Sequence, residues 1–426
     1  MPRHPRRRIN KLNLSNTTLA LVTEPFAPIS ARVRRMSVSP TIAMSTRAAE
    51  LRARGIDVIS LAVGEPDFDT PAHIIEAAHR AAKAGKTRYT AADGGPEVKA
   101  AAIEKFRREN GLTFTPEQIH VASGAKQVIY NAFAATLEPG DEVVIFTPTW
   151  VSYIDVVEFC GGRAVIVPTS AQDGFQPSTQ ALAAAISPRT RWVLLNSPNN
   201  PTGAVWPEPT IAALLDVVRA HPGVLVMSDE IYEQLVFDGH RPTCLAALAP
   251  DLAARMLVVN GVSKTYAMTG WRIGYAAGPE WLTSAMAKVQ SQTASSPCTP
   301  AQFAAAEAIT SDQSLVGQWR SIMATRRDIA LRILQDCTRL SIVVPHGAFY
   351  IFPGVGACLG LRTPQGQTLE NDTQICEYLL DAAKVATVPG AAFHASPFVR
   401  LSFALDESRI TEACRRIVQA LDALTD

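Results

Sequence analysis

Short apolar runs rich in β-branched residues recur through the middle of the chain, at residues 141–146, 192–195, 224–227 and 256–259. Between them lie Ala/Leu-rich stretches with helical spacing, such as 179–185 and 210–220. Strands apolar on both faces and joined by helical crossovers predict an α/β fold, with a mostly parallel central sheet and helices on both its faces. After about residue 310 the pattern changes to a long Arg-rich helical segment at 319–334, followed by strands near 349–352 and 399–403. That change predicts a second, smaller α+β domain. The expected division is a large domain at 76–310 and a small one built from 29–75 and 311–426.

In sheets of this kind ligands sit at the carboxyl ends of the strands. Here those ends are polar: Asn196-Ser197-Pro198-Asn199-Asn200, then Ser228-Asp229-Glu230, then Asn260-Gly261-Val262-Ser263-Lys264. An amide, a carboxylate and an amine thus arrive at neighbouring strand tips. Ile119-His120-Val121 reads as another strand, leading through Ser123-Gly124-Ala125-Lys126 into a helix over 127–137. Small residues at a helix start leave N–H groups open to an anion, although they also serve plain packing. Gly85-Lys86-Thr87 has the tail of a nucleotide-binding loop, but Arg80 stands where that motif needs glycine. No dinucleotide glycine pattern follows a strand, and the eight histidines show no metal spacing.

Composition narrows the field further. A chain of 426 residues, 47% of them hydrophobic, can bury a large core, and a formal charge of +1 gives no reason to expect nucleic acid or a membrane as partner. Seven cysteines without paired spacing fit a reducing cytoplasm better than a disulfide framework. No apolar stretch approaches the ~20 residues that a membrane span needs. Residues 1–28 start basic (Arg3, Arg6, Arg7, Arg8) and then turn Asn/Ser/Thr-rich, which reads as a disordered extension and leaves a transit peptide open.

Six motifs in series carry a resemblance: Gly64-Glu65-Pro66-Asp67-Phe68, Lys86-Thr87-Arg88-Tyr89, Asn199-Asn200-Pro201-Thr202-Gly203, Ser228-Asp229-Glu230-Ile231-Tyr232, Ser263-Lys264 and Arg400-Leu401-Ser402. In order and approximate spacing they resemble the fold-type I aminotransferases that use pyridoxal 5′-phosphate (PLP), and most closely the bacterial aspartate/prephenate branch. The resemblance implies that Lys264 forms a Schiff base with the cofactor aldehyde and carries the substrate proton. It implies that Asp229 pairs with the pyridinium nitrogen, that Asn200 and Tyr232 bond the phenolic oxygen, and that Trp150 stacks on the ring. It also implies that Gly124, Ala125, Lys126, Ser263 and Arg272 surround the phosphate side. Tyr89 resembles a tyrosine that reaches the phosphate of a neighbouring subunit, so a homodimer is expected. Gly261 stands where distant animal and enteric members have serine.

For the substrate, Arg400 resembles the guanidinium fork that grips an α-carboxylate, with Gly64, Trp150 and Asn200 beside it. Lys126 and Thr41 resemble the pair that meets a distal carboxylate. The implied reaction is ping-pong transfer from L-aspartate to 2-oxoglutarate. Prephenate or aromatic and kynurenine-type substrates are the alternative, and a PLP β-lyase is a more distant one. Thr149 and Ala125 replace a usual tyrosine and glycine, which leaves the fine specificity open. Aminotransferase-like ligand sensors need an attached helix-turn-helix module, and the short extension is too small to fold one.

Overall fold

The computed structural model describes residues 29–36, 40–241 and 243–426; the extension at 1–28 lies outside the described residues. The central sheet has seven strands: β1 (Ile119–Ala122), β2 (Glu142–Thr147), β3 (Arg163–Pro168), β4 (Thr190–Asn196), β5 (Leu225–Asp229), β6 (Met256–Gly261) and β7 (Gly274–Ala277). Their order across the sheet is β1-β7-β6-β5-β4-β2-β3. All neighbours are parallel except β7, which runs antiparallel to both β6 and β1.

That one reversed strand decides where the chemistry collects. Because β1 is antiparallel to β7, it points the same way as β6, so the carboxyl ends of β1, β2, β4, β5 and β6 share one edge. The amino end of β7 lies at that edge too. One rim therefore receives the residues after Ala122, Thr147, Asn196, Asp229 and Gly261, together with those just before Gly274.

Both faces of the sheet are covered, as the doubly apolar strands require. Val143, Ile145, Leu194, Met227 and Val259 pack with Val128, Phe133 and Met286 on one side. Val144, Val193, Val226 and Val258 pack with Ile211, Leu214 and Ala304 on the other. The sheet is pinched at its β6–β7–β1 margin. Gly274 pairs with both Gly261 and Ala122, and a Cβ built on Gly261 would come within 3.1 Å of the Gly274 Cα. Glycine at 261 thus lets two backbones touch.

A smaller α+β assembly lies beside this rim. Val399–Ser402 is the middle strand of a three-stranded antiparallel sheet with Val388–Pro389 and Tyr350–Ile351, and Ile59–Ser60 pairs in parallel with Val385–Ala386. The Arg-rich helix runs Ser314–Leu334 and packs on the helix Glu407–Asp422. Arg327 is buried along it and forks onto Asp238 at 2.5 and 2.8 Å, tying the helix to the turn after β5. Gly85, in the tail of the rejected nucleotide motif, follows the helix Ala72–Lys83 with φ of 76°, a helix-terminating turn rather than a strand-to-helix loop. Among the described residues no helix is long and apolar enough to cross a membrane.

Candidate active site

The carboxyl rim encloses a cavity of about 320 Å³, lined by Gly64, Ala125, Lys126, Trp150, Asn196, Asn200, Asp229, Tyr232, Ser263, Lys264, Arg272 and Arg400, among others. Residues that sequence placed at separate strand tips therefore share one space. Among the described residues, the expected Gly124 and Tyr89 are not part of its lining. Tyr89 is 86% exposed, and the Thr41 side chain lies outside the described residues.

Asp229 ends β5 with its carboxylate fixed from two sides. Tyr153 Oη donates to Oδ2 at 2.5 Å and the Ile231 N–H donates to Oδ1 at 3.2 Å. Burial nevertheless raises its pKa to about 6, more than these donors and Lys264 lower it. Lys264, in the turn after β6, donates from Nζ to the Gly64 carbonyl at 2.7 Å. Its pKa is pulled down to about 8, first by burial and then by the nearby Arg400 and Arg272 charges, with Glu65 and Asp229 opposing. Burial thus brings the acid and the amine within reach of neutral pH, a combination typical of functional clefts.

Arg400 is 3% exposed, which rules out the plain surface arginine of a strand face. Nη1 donates to Asn200 Oδ1 at 3.1 Å and Nη2 to the Ala62 carbonyl at 2.7 Å, while Nε has no partner. The guanidinium carbon lies 4.6 Å from the Tyr350 ring centre and 5.0 Å from that of Phe393. Asn200 is set in turn by β4, for its N–H donates to Asn196 Oδ1 and Asn196 Nδ2 donates to the Asp229 carbonyl.

At the opposite end, Gly124 caps the helix Ala125–Thr136 with φ of 93°, and a Cβ there would collide with the Arg272 guanidinium. Arg272 donates to the Thr269 carbonyl at 2.9 Å and the Ser123 carbonyl at 3.3 Å. A helix N-terminus with an arginine over it is an anion cradle. Lys126 Nζ sits 4.9 Å from the Trp150 ring centre, and burial, with Arg272 nearby, lowers its pKa. Trp150 meets Tyr153 edge-on at 5.2 Å.

Three contributors were not singled out from sequence. Tyr153 lies three residues after Trp150 and reads as a helix core residue; Tyr350 sits in the apolar run 349–352; Glu65 accepts from Thr269 Oγ1 at 2.7 Å. Only Glu65 lay within a quoted motif.

An anion cradle, a buried acid, a buried amine and a carboxylate fork around one ring-sized cavity define a site for a phosphorylated aromatic aldehyde and an amino acid. The chain belongs to the family of class I and II aminotransferases, whose pattern matches residues 56–417. It is accordingly a PLP-dependent enzyme that moves amino groups between amino acids and 2-oxo acids.

An aspartate aminotransferase of Rhizobium meliloti (strain 1021) is 48% identical over 400 residues, covering 94% of this chain and 97% of the relative. An aspartate/prephenate aminotransferase of Cereibacter sphaeroides is also 48% identical, over 392 residues, covering 92% of this chain and 98% of the relative. Among solved structures, the aspartate aminotransferase of Rhizobium meliloti superposes with a TM-score of 0.90 at 47% identity, covering 93% of this chain and 99% of that one. That of Thermus thermophilus with maleate gives 0.87 at 42% identity, covering 92% of this chain and all of that one.

Proposed function

We propose that this enzyme transfers the amino group of L-aspartate to 2-oxoglutarate, with Lys264 as the residue that anchors PLP. The observation that carries the substrate reading is the pair of cations bordering one cavity, Arg400 beside Asn200 and Lys126 beside Trp150. One suits an α-carboxylate and the other a distal one. The Thermus relative was solved with maleate, a four-carbon dicarboxylate, which supports the same reading.

The residues fit the cofactor. The α-helix start at Gly124 with Arg272 would hold the phosphate, Asp229 would pair with the ring nitrogen, and Tyr232 and Asn200 would bond the phenolic oxygen. Bound there, PLP supplies an electron sink for the pair left when the Cα–H bond breaks. Asp229 is ionised once a ring cation lies opposite it, because opposite charge outweighs burial. Lys264 takes the Cα proton and returns it, a role suited to an amine with a pKa of about 8. Arg400 fixes the carboxylate by its two Nη donors, and Gly64 lets the backbone close over it, since a Cβ there would strike the Tyr350 hydroxyl.

Two outcomes test these assignments. Lys126→Ala is expected to raise KM for aspartate and 2-oxoglutarate about tenfold or more, as the loss of one charge-assisted contact implies, with little change for alanine. Equal effects on aspartate and alanine in steady-state kinetics contradict the distal-carboxylate role. When PLP is added to cofactor-free protein, attachment needs the unprotonated Lys264 amine. The rate is therefore expected to climb on the order of tenfold per pH unit below pH 7 and to level off above about 8. Stopped-flow absorbance that still climbs at the same slope above pH 9 contradicts the lowered amine pKa.

A second reading is prephenate as amino acceptor, favoured by the similarity to the Cereibacter aspartate/prephenate enzyme. Prephenate also carries two carboxylates, so Arg400 and Lys126 serve it in the same way. The proposed active unit is a cytoplasmic homodimer in which Tyr89 reaches the neighbouring phosphate site. Its 86% exposure on a turn fastened by Thr299 Oγ1 to the Arg88 carbonyl supports that. The proposed domain division is 76–310 against 29–75 with 311–426.

A further inference from the structure

Tyr350 stands where the two halves of the site meet. It is 1% exposed, on the strand Tyr350–Ile351 that pairs with Leu401–Ser402 beside Arg400. Its ring lies under the Arg400 guanidinium at 4.6 Å, and its hydroxyl is 2.8 Å from the hydroxyl of Tyr232. The two rings meet edge-on at 5.8 Å. No other protein hydrogen bond to the Tyr232 hydroxyl exists among the described residues.

A phenol has one proton to donate and two lone pairs to accept with. Two phenols in contact can share their bond in either sense. If Tyr232 donates to Tyr350, its proton points away from the cavity and it meets a phenolic oxygen with lone pairs only. If Tyr350 donates, the Tyr232 proton is free to point into the cavity. Arg400 chooses between them: a cation against the face of Tyr350 draws electron density from that ring and makes it the better donor. Arg400 acts on Tyr232 too, but there the Asp229 carboxylate opposes it, and no carboxylate does so at Tyr350, which leaves Tyr232 the poorer donor of the two. Besides Asp229 and Arg400, the charged side chains that line the same cavity as the pair are Lys126, Lys264 and Arg272.

We propose that Tyr350 is a positioning residue: its hydroxyl donates to Tyr232 Oη and so turns the Tyr232 proton toward the phenolic oxygen of the cofactor. This rests on the proposed place of PLP at Lys264. A donor that itself accepts a hydrogen bond is strengthened, so Tyr350 acts on the cofactor oxygen through Tyr232 without touching it. With its proton so directed, Tyr232 would favour the ionised form of the cofactor's phenolic oxygen, and the nitrogen that Lys264 contributes would lose its proton at a pH set partly by that contact.

The test is a pH titration of the bound-cofactor absorbance in wild-type holoenzyme, Tyr350→Phe, Tyr232→Phe and the double variant. Phenylalanine at 350 keeps the ring under Arg400 and removes only the hydroxyl. Tyr350→Phe is expected to raise the midpoint by roughly 0.2–0.5 of a pH unit, a fraction of the effect of a direct bond. Tyr232→Phe is expected to raise it by about one unit or more, and the double variant by no more than Tyr232→Phe alone. A wild-type midpoint in Tyr350→Phe, with Tyr232→Phe shifted, overturns the relay, as does a double variant equal to the sum of the two. A midpoint unmoved in Tyr232→Phe as well overturns instead the placement of Tyr232 against the cofactor.

Discussion

Lys264→Ala is expected to lower kcat for aspartate by about 10⁴-fold or more, while the variant folds and still takes up PLP without a covalent link. Two functions leave together. The amine is the only side chain type on the rim able to condense reversibly with an aldehyde, and a positioned general base alone is worth ~10²–10⁴ in rate. No described neighbour can replace it: Lys126 is held against Trp150, and Arg272 and Arg400 carry guanidinium groups in place of an amine. The phosphate cradle at Gly124 and Arg272 remains intact, so cofactor retention should persist. A coupled assay with matched circular dichroism checks this, and a loss smaller than tenfold contradicts the role given to Lys264.

Arg400→Lys is expected to reduce kcat/KM by about 10²-fold for every amino acid tested. The charge is kept, but the planar fork is lost, and one charge-assisted hydrogen bond is worth ~1.5–3 kcal/mol. A lysine cannot bond Asn200 and the Ala62 carbonyl while also meeting a carboxylate in two places, as the arginine geometry allows. The contrast with Lys126→Ala is diagnostic, since only the α-carboxylate is common to aspartate and alanine. A defect in Arg400→Lys confined to dicarboxylates, measured by steady-state kinetics on both donors, contradicts its assignment.

Much of this arrangement was legible in the chain because strand tips in a parallel sheet are marked by an abrupt change from apolar to polar residues. Asn196, Asp229 and Lys264 each follow such a change, and burial of their strands on both faces leaves the tips as the only outlet for polar groups. The strands β3 and β7 escaped notice for opposite reasons. β3 is an edge strand with a single buried residue, and Gly-Tyr-Ala-Ala in β7 has no β-branched residue at all. Missing β7 also hid the reversal that brings β1 and Arg272 to the rim.

Tyr153 and Tyr350 were illegible for a different reason. Each sits in a stretch that reads as ordinary core, and each acts through a partner 76 or 118 residues away, Asp229 and Tyr232 respectively. A buried aromatic gives the same sequence signal whether its hydroxyl is spare or serves a catalytic group. Only its three-dimensional neighbours tell the two apart.

The central claim is that Lys264, and no other amine, carries the cofactor. Reducing the native holoenzyme with borohydride, digesting it and locating the pyridoxyl group by peptide mass spectrometry tests it most directly. The expected result is one modified peptide, with the group on the nitrogen of Lys264. A pyridoxyl group on Lys126 or another lysine, or none on protein that retains PLP, would contradict the account.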